Sequence, residues 1–127
     1  MLEITDHGDV RQLRFSSWVG RRAGYAVSCF VTRGLLVDCA FPKVAADVAA
    51  YVTAHPVEGV VLTHAHEDHS GAIAALAELD LPVHCASATD AAMRREERVG
   101  LYRRFTWGTR RPLRATLSRF TPRTLQL

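Results

Sequence analysis

The sequence contains no apolar run approaching the ~20 residues that a membrane-spanning helix needs, so a membrane protein is not expected. Its first residues, Met1-Leu2-Glu3-Ile4-Thr5-Asp6, lack a basic segment followed by an apolar one. No signal peptide is therefore expected, and the reading is cytoplasmic. Cysteine is scarce: Cys29, Cys39 and Cys85 are an odd set without a closely spaced pair, each in an apolar stretch. That fits reduced, buried thiols better than a disulfide framework. Cys85 beside His84 offers two metal-ligand types, but free cysteine is among the most buried residue types. A small hydrophobe ending a strand is the expectation there. Lysine is almost missing, with Lys43 alone among the arginines.

What is present suffices for one domain with its own core: 127 residues, 48% of them hydrophobic. The charge is lopsided. Residues 1–93 carry a net charge of −5, whereas residues 94–127 carry ten arginines against Glu96 and Glu97, a net of +8.

Along the chain, residues 2–4 and 10–15 read as a hairpin around Asp6-His7-Gly8-Asp9. Residues 16–24 read as a loop. Residues 25–32 and 35–38 are β-rich runs joined by Arg33-Gly34, a short hairpin turn. The continuous run Leu35-Leu36-Val37 predicts a strand buried on both faces. Pro42 starts a helix over 44–53, with Val44, Val48, Tyr51 and Val52 on its apolar side. Strands follow at 57–62 and 81–85, separated by a helix from Ser70, its N-cap, to near Asp80. Ser87 or Thr89 is expected to cap a further helix from 90 to about 98, which 101–108 extends or follows as a second piece. After Gly108 the pattern fails, and an irregular tail is expected. This alternation of strand and helix predicts an α/β fold with crossover units, a partly parallel sheet and antiparallel hairpins at the amino end.

The densest chemistry is Val60-Val61-Leu62-Thr63-His64-Ala65-His66-Glu67-Asp68-His69-Ser70-Gly71. Three imidazoles and an aspartate fall on the corner between a strand and a helix. Those are ligand types for zinc and related divalent ions. The corner lies at the carboxyl end of its strand, where open α/β sheets place ligands. In near-extended backbone His64 and His66 point the same way and can pinch one ion. Asp68 and His69, where the chain turns into helix, can face a second.

His64-Ala65-His66-Glu67-Asp68-His69, with the apolar strand and Thr63 before it and Ser70-Gly71 after it, resembles the His-x-His-x-Asp-His signature of the metallo-β-lactamase-fold hydrolase superfamily. Asp38, ending the run 34–38, resembles the acidic residue that the family sets behind the metals to orient a ligand histidine. The resemblance implies the amino-terminal half of an αββα sandwich over residues 1–93, a mixed sheet with helices on one face. An arginine-rich helix and irregular tail then occupy 94–127.

The resemblance also implies a zinc-dependent hydrolase of two ions, with other divalent metals as alternatives. His64 and His66 would serve the first ion, and Asp68 (also the catalytic residue) and His69 the second. Metal-activated water would attack a small-molecule ester, thioester, lactam or phosphodiester. The family's remaining ligands come from later in the chain, yet after His69 this sequence has one histidine, His84, and two aspartates, Asp80 and Asp90, with no Gly-His motif. The expectation is therefore a truncated product lacking the carboxyl-terminal half. It should bind metal weakly, turn over little, and self-associate through an uncovered apolar sheet face. Two alternatives stand beside it: a non-catalytic metal-binding module, and a nucleic-acid binder using the arginines with Tyr102, Phe105 and Trp107. A solvated helix face explains the arginines at least as simply.

Overall fold

A computed structural model describes residues 1–95, 100–110 and, as backbone, 118–119. Strand β1 (Leu2–His7) turns at Gly8-Asp9 into β2 (Val10–Phe15), its antiparallel partner. β3 (Val27–Thr32) pairs antiparallel with β2 and with β4 (Leu35–Val37). The β3–β4 turn puts Arg33 at φ 49° and Gly34 at φ 78°, the two left-handed residues that match a two-residue hairpin to strand twist. From β4 onward the chain crosses over. β5 (Gly59–Val61), β6 (Val83–Cys85) and the two-residue β7 (Ser118–Arg119) each add in parallel. Among the described residues this is one mixed sheet in the order β1 to β7.

The helices are α1 (Trp18–Ala23), α2 (Ala45–Ala54) after a 3₁₀ turn at Pro42–Val44, α3 (Glu67–Ser70), α4 (Ile73–Ala77), α5 (Ser87–Met93) and α6 (Leu101–Trp107). Strand alternation sorts the side chains. One sheet face presents Leu13, Phe15, Cys29, Leu36, Val60 and Val83, which form a single buried cluster with Val44, Val48, Ile73, Leu76 and Met93 of the helical layer. The opposite row runs Gln12, Phe30, Val37, Val61, His84 across five strands and is half-buried or exposed. Gln12 lies in that row and donates to the Ser28 hydroxyl (2.8 Å). Leu35-Leu36-Val37 is likewise buried on one side only. Leu36 is fully enclosed, while its two neighbours belong to the open row.

Several local expectations are corrected. Residues 16–24 are not a loop: they hold α1, capped by the Ser17 hydroxyl, which accepts from the Gly20 N–H (3.0 Å), and closed by left-handed Gly24. A six-residue helix shows no usable apolar period, and only its caps could have revealed it. The helix expected from Ser70 is two pieces, α3 and α4, parted at Gly71-Ala72. Ser70 is no N-cap; it ends α3, and its hydroxyl donates to the carbonyls of Ala65 and His66 (2.9 Å each). α5 starts at Ser87, earlier than expected and without a side-chain cap from Ser87 or Thr89. α6 is a separate piece. The tail expected after Gly108 lies largely outside the described residues, apart from β7. Among the described residues no helix is long and apolar enough to cross a membrane.

All three cysteines are buried, and none forms a disulfide among the described residues. Burial pushes the Cys29 thiol up to about 12 and raises that of Cys39 as well. The native protein at pH 8 should therefore resist iodoacetamide at Cys29 and Cys39, whereas urea-unfolded protein should be labelled at once, because the thiolate is the nucleophile. Intact-mass spectrometry over a time course checks this; rapid native labelling at either position would contradict it.

Candidate metal centre

The site forms at the carboxyl ends of β4 and β5. The Asp38 N–H donates to the Val61 carbonyl (2.8 Å), carrying the parallel ladder one residue past β4. Asp38 then takes a left-handed conformation, φ 59°, which Asp tolerates better than most residues. The residue is only 7% exposed, and its carboxylate accepts from the Thr63 N–H (2.8 Å) and from the Thr63 hydroxyl, while Oδ2 lies 2.8 Å from His69 Nδ1. One carboxylate thus pins both ends of the loop 63–69.

A second set of bonds zips this loop to the segment after β4. The Cys39 N–H donates to the His69 carbonyl (2.7 Å), the Gly71 N–H to Ala40 (2.8 Å) and the Ala72 N–H to Cys39 (3.3 Å). Ala40, like Asp38, has a positive φ, 55°. Two non-glycine residues in this region within three positions mark backbone held in place by its surroundings.

The pinned loop brings ligand-type atoms together. One such atom from each of His64, Asp68 and His69 lies within 4.8 Å of the other two, and all three side chains are half-exposed. With His69 Nδ1 against Asp38, its Nε2 faces Asp68 Oδ2 at 3.5 Å. His64 Nδ1 lies 2.9 Å from the Thr63 hydroxyl. His66 stands outside that trio but next to it, its ring edge-on to His64 with centroids 4.8 Å apart. Its carbonyl receives the His69 and Ser70 N–H groups.

Partial burial, reinforced by neighbouring His69 and His66, lowers the pKa of His64 against the opposing pull of Asp38 and Asp68. The neutral ring, the form that can ligate, is thereby favoured near neutral pH. Two imidazoles and a carboxylate are a donor set suited to zinc and similar divalent ions, and three protein ligands leave room for water.

Other candidates do not join this cluster. His7 lies against Gln12 (2.9 Å) and His55 stacks on Tyr51, and neither belongs to the converging group. His84 sits in the open row of the sheet, and Cys85 in the core. In the arginine-rich part, Tyr102 and Trp107 meet Tyr25 edge-on, and Trp107 packs on Phe41. Three participants were missed by sequence reasoning. Thr63 and Gly71 stood there only as motif flanks. Glu67, a mere spacer in the signature, is fully buried and paired with Arg103 (Nε to Oε1, 2.6 Å). No local pattern could have matched residues 36 positions apart.

Residues 23–124 match the family model for the metallo-beta-lactamase superfamily. Comparison with curated proteins gives no match. Among solved structures, the chain is similar to the metallo-beta-lactamase FIM-1 from Pseudomonas aeruginosa in its mono-zinc form, with a TM-score of 0.61 and 19% identity over 71% of this chain and 44% of that one. It is also similar to a metallo beta lactamase from Hirschia baltica, with a TM-score of 0.60 and 21% identity over 91% and 53%. At such identities the likeness is one of fold. The chain spans about half the length of these structures.

Proposed function

Because the chain belongs to the metallo-β-lactamase superfamily, we propose that it carries the metal-binding corner of a zinc-dependent hydrolase. His64, Asp68 and His69 are its ligands, and His66 stands ready at the edge of the same group. The observation that supports this most is the convergence of those three ligand-type atoms within 4.8 Å. A divalent cation bound there would supply Lewis acidity, making water nucleophilic near neutral pH and favouring negative charge on an attacked carbonyl or phosphoryl oxygen.

The chain's own residues have separable tasks. Asp38 holds His69 by Nδ1, so that Nε2 is the nitrogen presented to the metal, an arrangement that also raises ligand basicity. Thr63 spends its N–H and hydroxyl on the same carboxylate and so fixes where the loop departs from β5. Asp68, half-exposed, offers a carboxylate that can ligate or accept a proton from the attacking water. The substrate class proposed is a small molecule with an ester, thioester, lactam or phosphodiester bond. A second ion would need donors beyond those that the described residues bring to this corner. For the 127 residues alone we therefore expect metal binding with little turnover.

Cobalt titration tests the reading directly. One equivalent should give the visible absorption of cobalt bound by imidazole, and zinc should displace it. His64→Ala and His69→Ala should each weaken zinc binding at least tenfold, since each removes one of three ligands. Absence of imidazole coordination in the parent, or unchanged affinity in both variants, would remove the basis of the proposal.

A further inference from the structure

Glu67 occupies a variable position of the signature, between His66 and Asp68, yet no part of it is exposed. A buried carboxylate is strongly unfavourable unless paired. Its partner is Arg103 of α6, whose Nε donates to Oε1 (2.6 Å) and whose Nη2 donates to Oε2. A guanidinium gripping both oxygens fixes direction as well as distance. The helix that delivers Arg103 is itself fastened. Trp107 packs on Phe41 with ring centroids 4.8 Å apart, and the Lys43 ammonium donates to the Phe105 carbonyl. Phe41 and Lys43 belong to the segment already zipped to the loop through Ala40 and Gly71.

We infer that the Glu67–Arg103 pair is a brace that positions the metal loop, so that the geometry of His64, Asp68 and His69 depends on the docking of α6. Neither residue touches the metal or substrate in this account; both act through the backbone between His66 and Asp68. Without Arg103, Glu67 must leave its buried place or stay there unpaired, and either change turns the peptides on both sides of it. The inference deepens the metal-site reading, and one arm of its test is independent of that reading.

The test compares the parent with Arg103→Ala, Arg103→Lys, Glu67→Gln and the Glu67→Gln/Arg103→Ala pair, all kept well below their melting temperatures. In metal-free protein, long-range proton–nitrogen NMR reads the imidazole rings. Arg103→Ala should shift His64, His66 and His69 and leave His7 and His55 in place. Zinc affinity, measured by competition with a chromophoric chelator, should fall by about tenfold in Arg103→Ala, the scale seen when supports behind metal ligands are removed. It should fall less in Arg103→Lys, whose ammonium keeps the charge but not the two-point grip. The double variant should be no worse than Arg103→Ala. A lower melting temperature with unchanged ring signals and unchanged affinity would make the pair merely structural and overturn the inference. Should Arg103→Ala not fold, Arg103→Lys and Glu67→Gln give the same readings. Should the parent bind no zinc, the metal reading fails, while the ring signals still decide the brace.

Discussion

Gly71→Ala is expected to destabilise the protein by about 3 kcal/mol or more. Gly71 is in the ordinary right-handed region, φ −63°. On backbone propensity alone alanine would be preferred there, by about 1 kcal/mol inside a helix. The contacts reverse the sign. A methyl group at this position would overlap the carbonyl carbon of Phe41 and the nitrogen of Pro42. Those are backbone atoms, held by the Gly71–Ala40 and Ala72–Cys39 hydrogen bonds, so no flexible side chain can yield. To admit the methyl group, the segment after β4 and the metal loop must separate, which breaks those bonds and moves Phe41 out of the core. Urea unfolding followed by tryptophan fluorescence measures the effect. A variant as stable as the parent would show that the close approach is not what glycine is for.

Asp38→Ala is expected to damage fold and site together, and Asp38→Asn to separate the two. Alanine removes the acceptor of the Thr63 N–H and hydroxyl, two part-buried hydrogen bonds worth about 0.5–1.5 kcal/mol each. It must also adopt the left-handed backbone of residue 38, at about 1–2 kcal/mol. A total loss of about 3 kcal/mol in unfolding free energy is the expected result. Asparagine tolerates the left-handed region and keeps one carbonyl oxygen for Thr63, so its loss should be about 1 kcal/mol. At the metal the ranking changes. Neither variant presents a charged oxygen to His69 Nδ1, so zinc affinity should fall by about 10–100-fold in both. Denaturation curves and chelator competition on the two variants check this. Asn with parental zinc affinity would show that His69 does not need the carboxylate.

Much of this was legible in the sequence because it is written over short spans. The periods of 2 and 3.6 that set strands and helices, the Arg33-Gly34 turn and the crossover order all depend on neighbours a few residues apart. Helix α1 escaped because six residues carry less than two turns of pattern. The split at Gly71-Ala72 escaped because Ser70 resembles a cap, and its hydroxyl was instead taken by carbonyls one turn back. The abrupt rise in positive charge after residue 93 also conveyed little about packing. Two residues from beyond it, Arg103 and Trp107, anchor α6 to Glu67 and Phe41.

What the sequence by itself determined is the donor chemistry: three imidazoles and a carboxylate at fixed spacing on a strand-to-helix corner. Only the tertiary structure decided how those donors are aimed. It turned Asp38 left-handed so that it reaches Thr63, 25 positions on, and His69, 31 positions on. It drew His64, Asp68 and His69 into one group with His66 at its edge, and it buried Glu67 against Arg103. The reason is range. Spacing along one loop is fixed by covalent geometry, but the direction of a side chain in that loop is fixed by partners on other elements, whose distance depends on how the whole sheet and its helices pack.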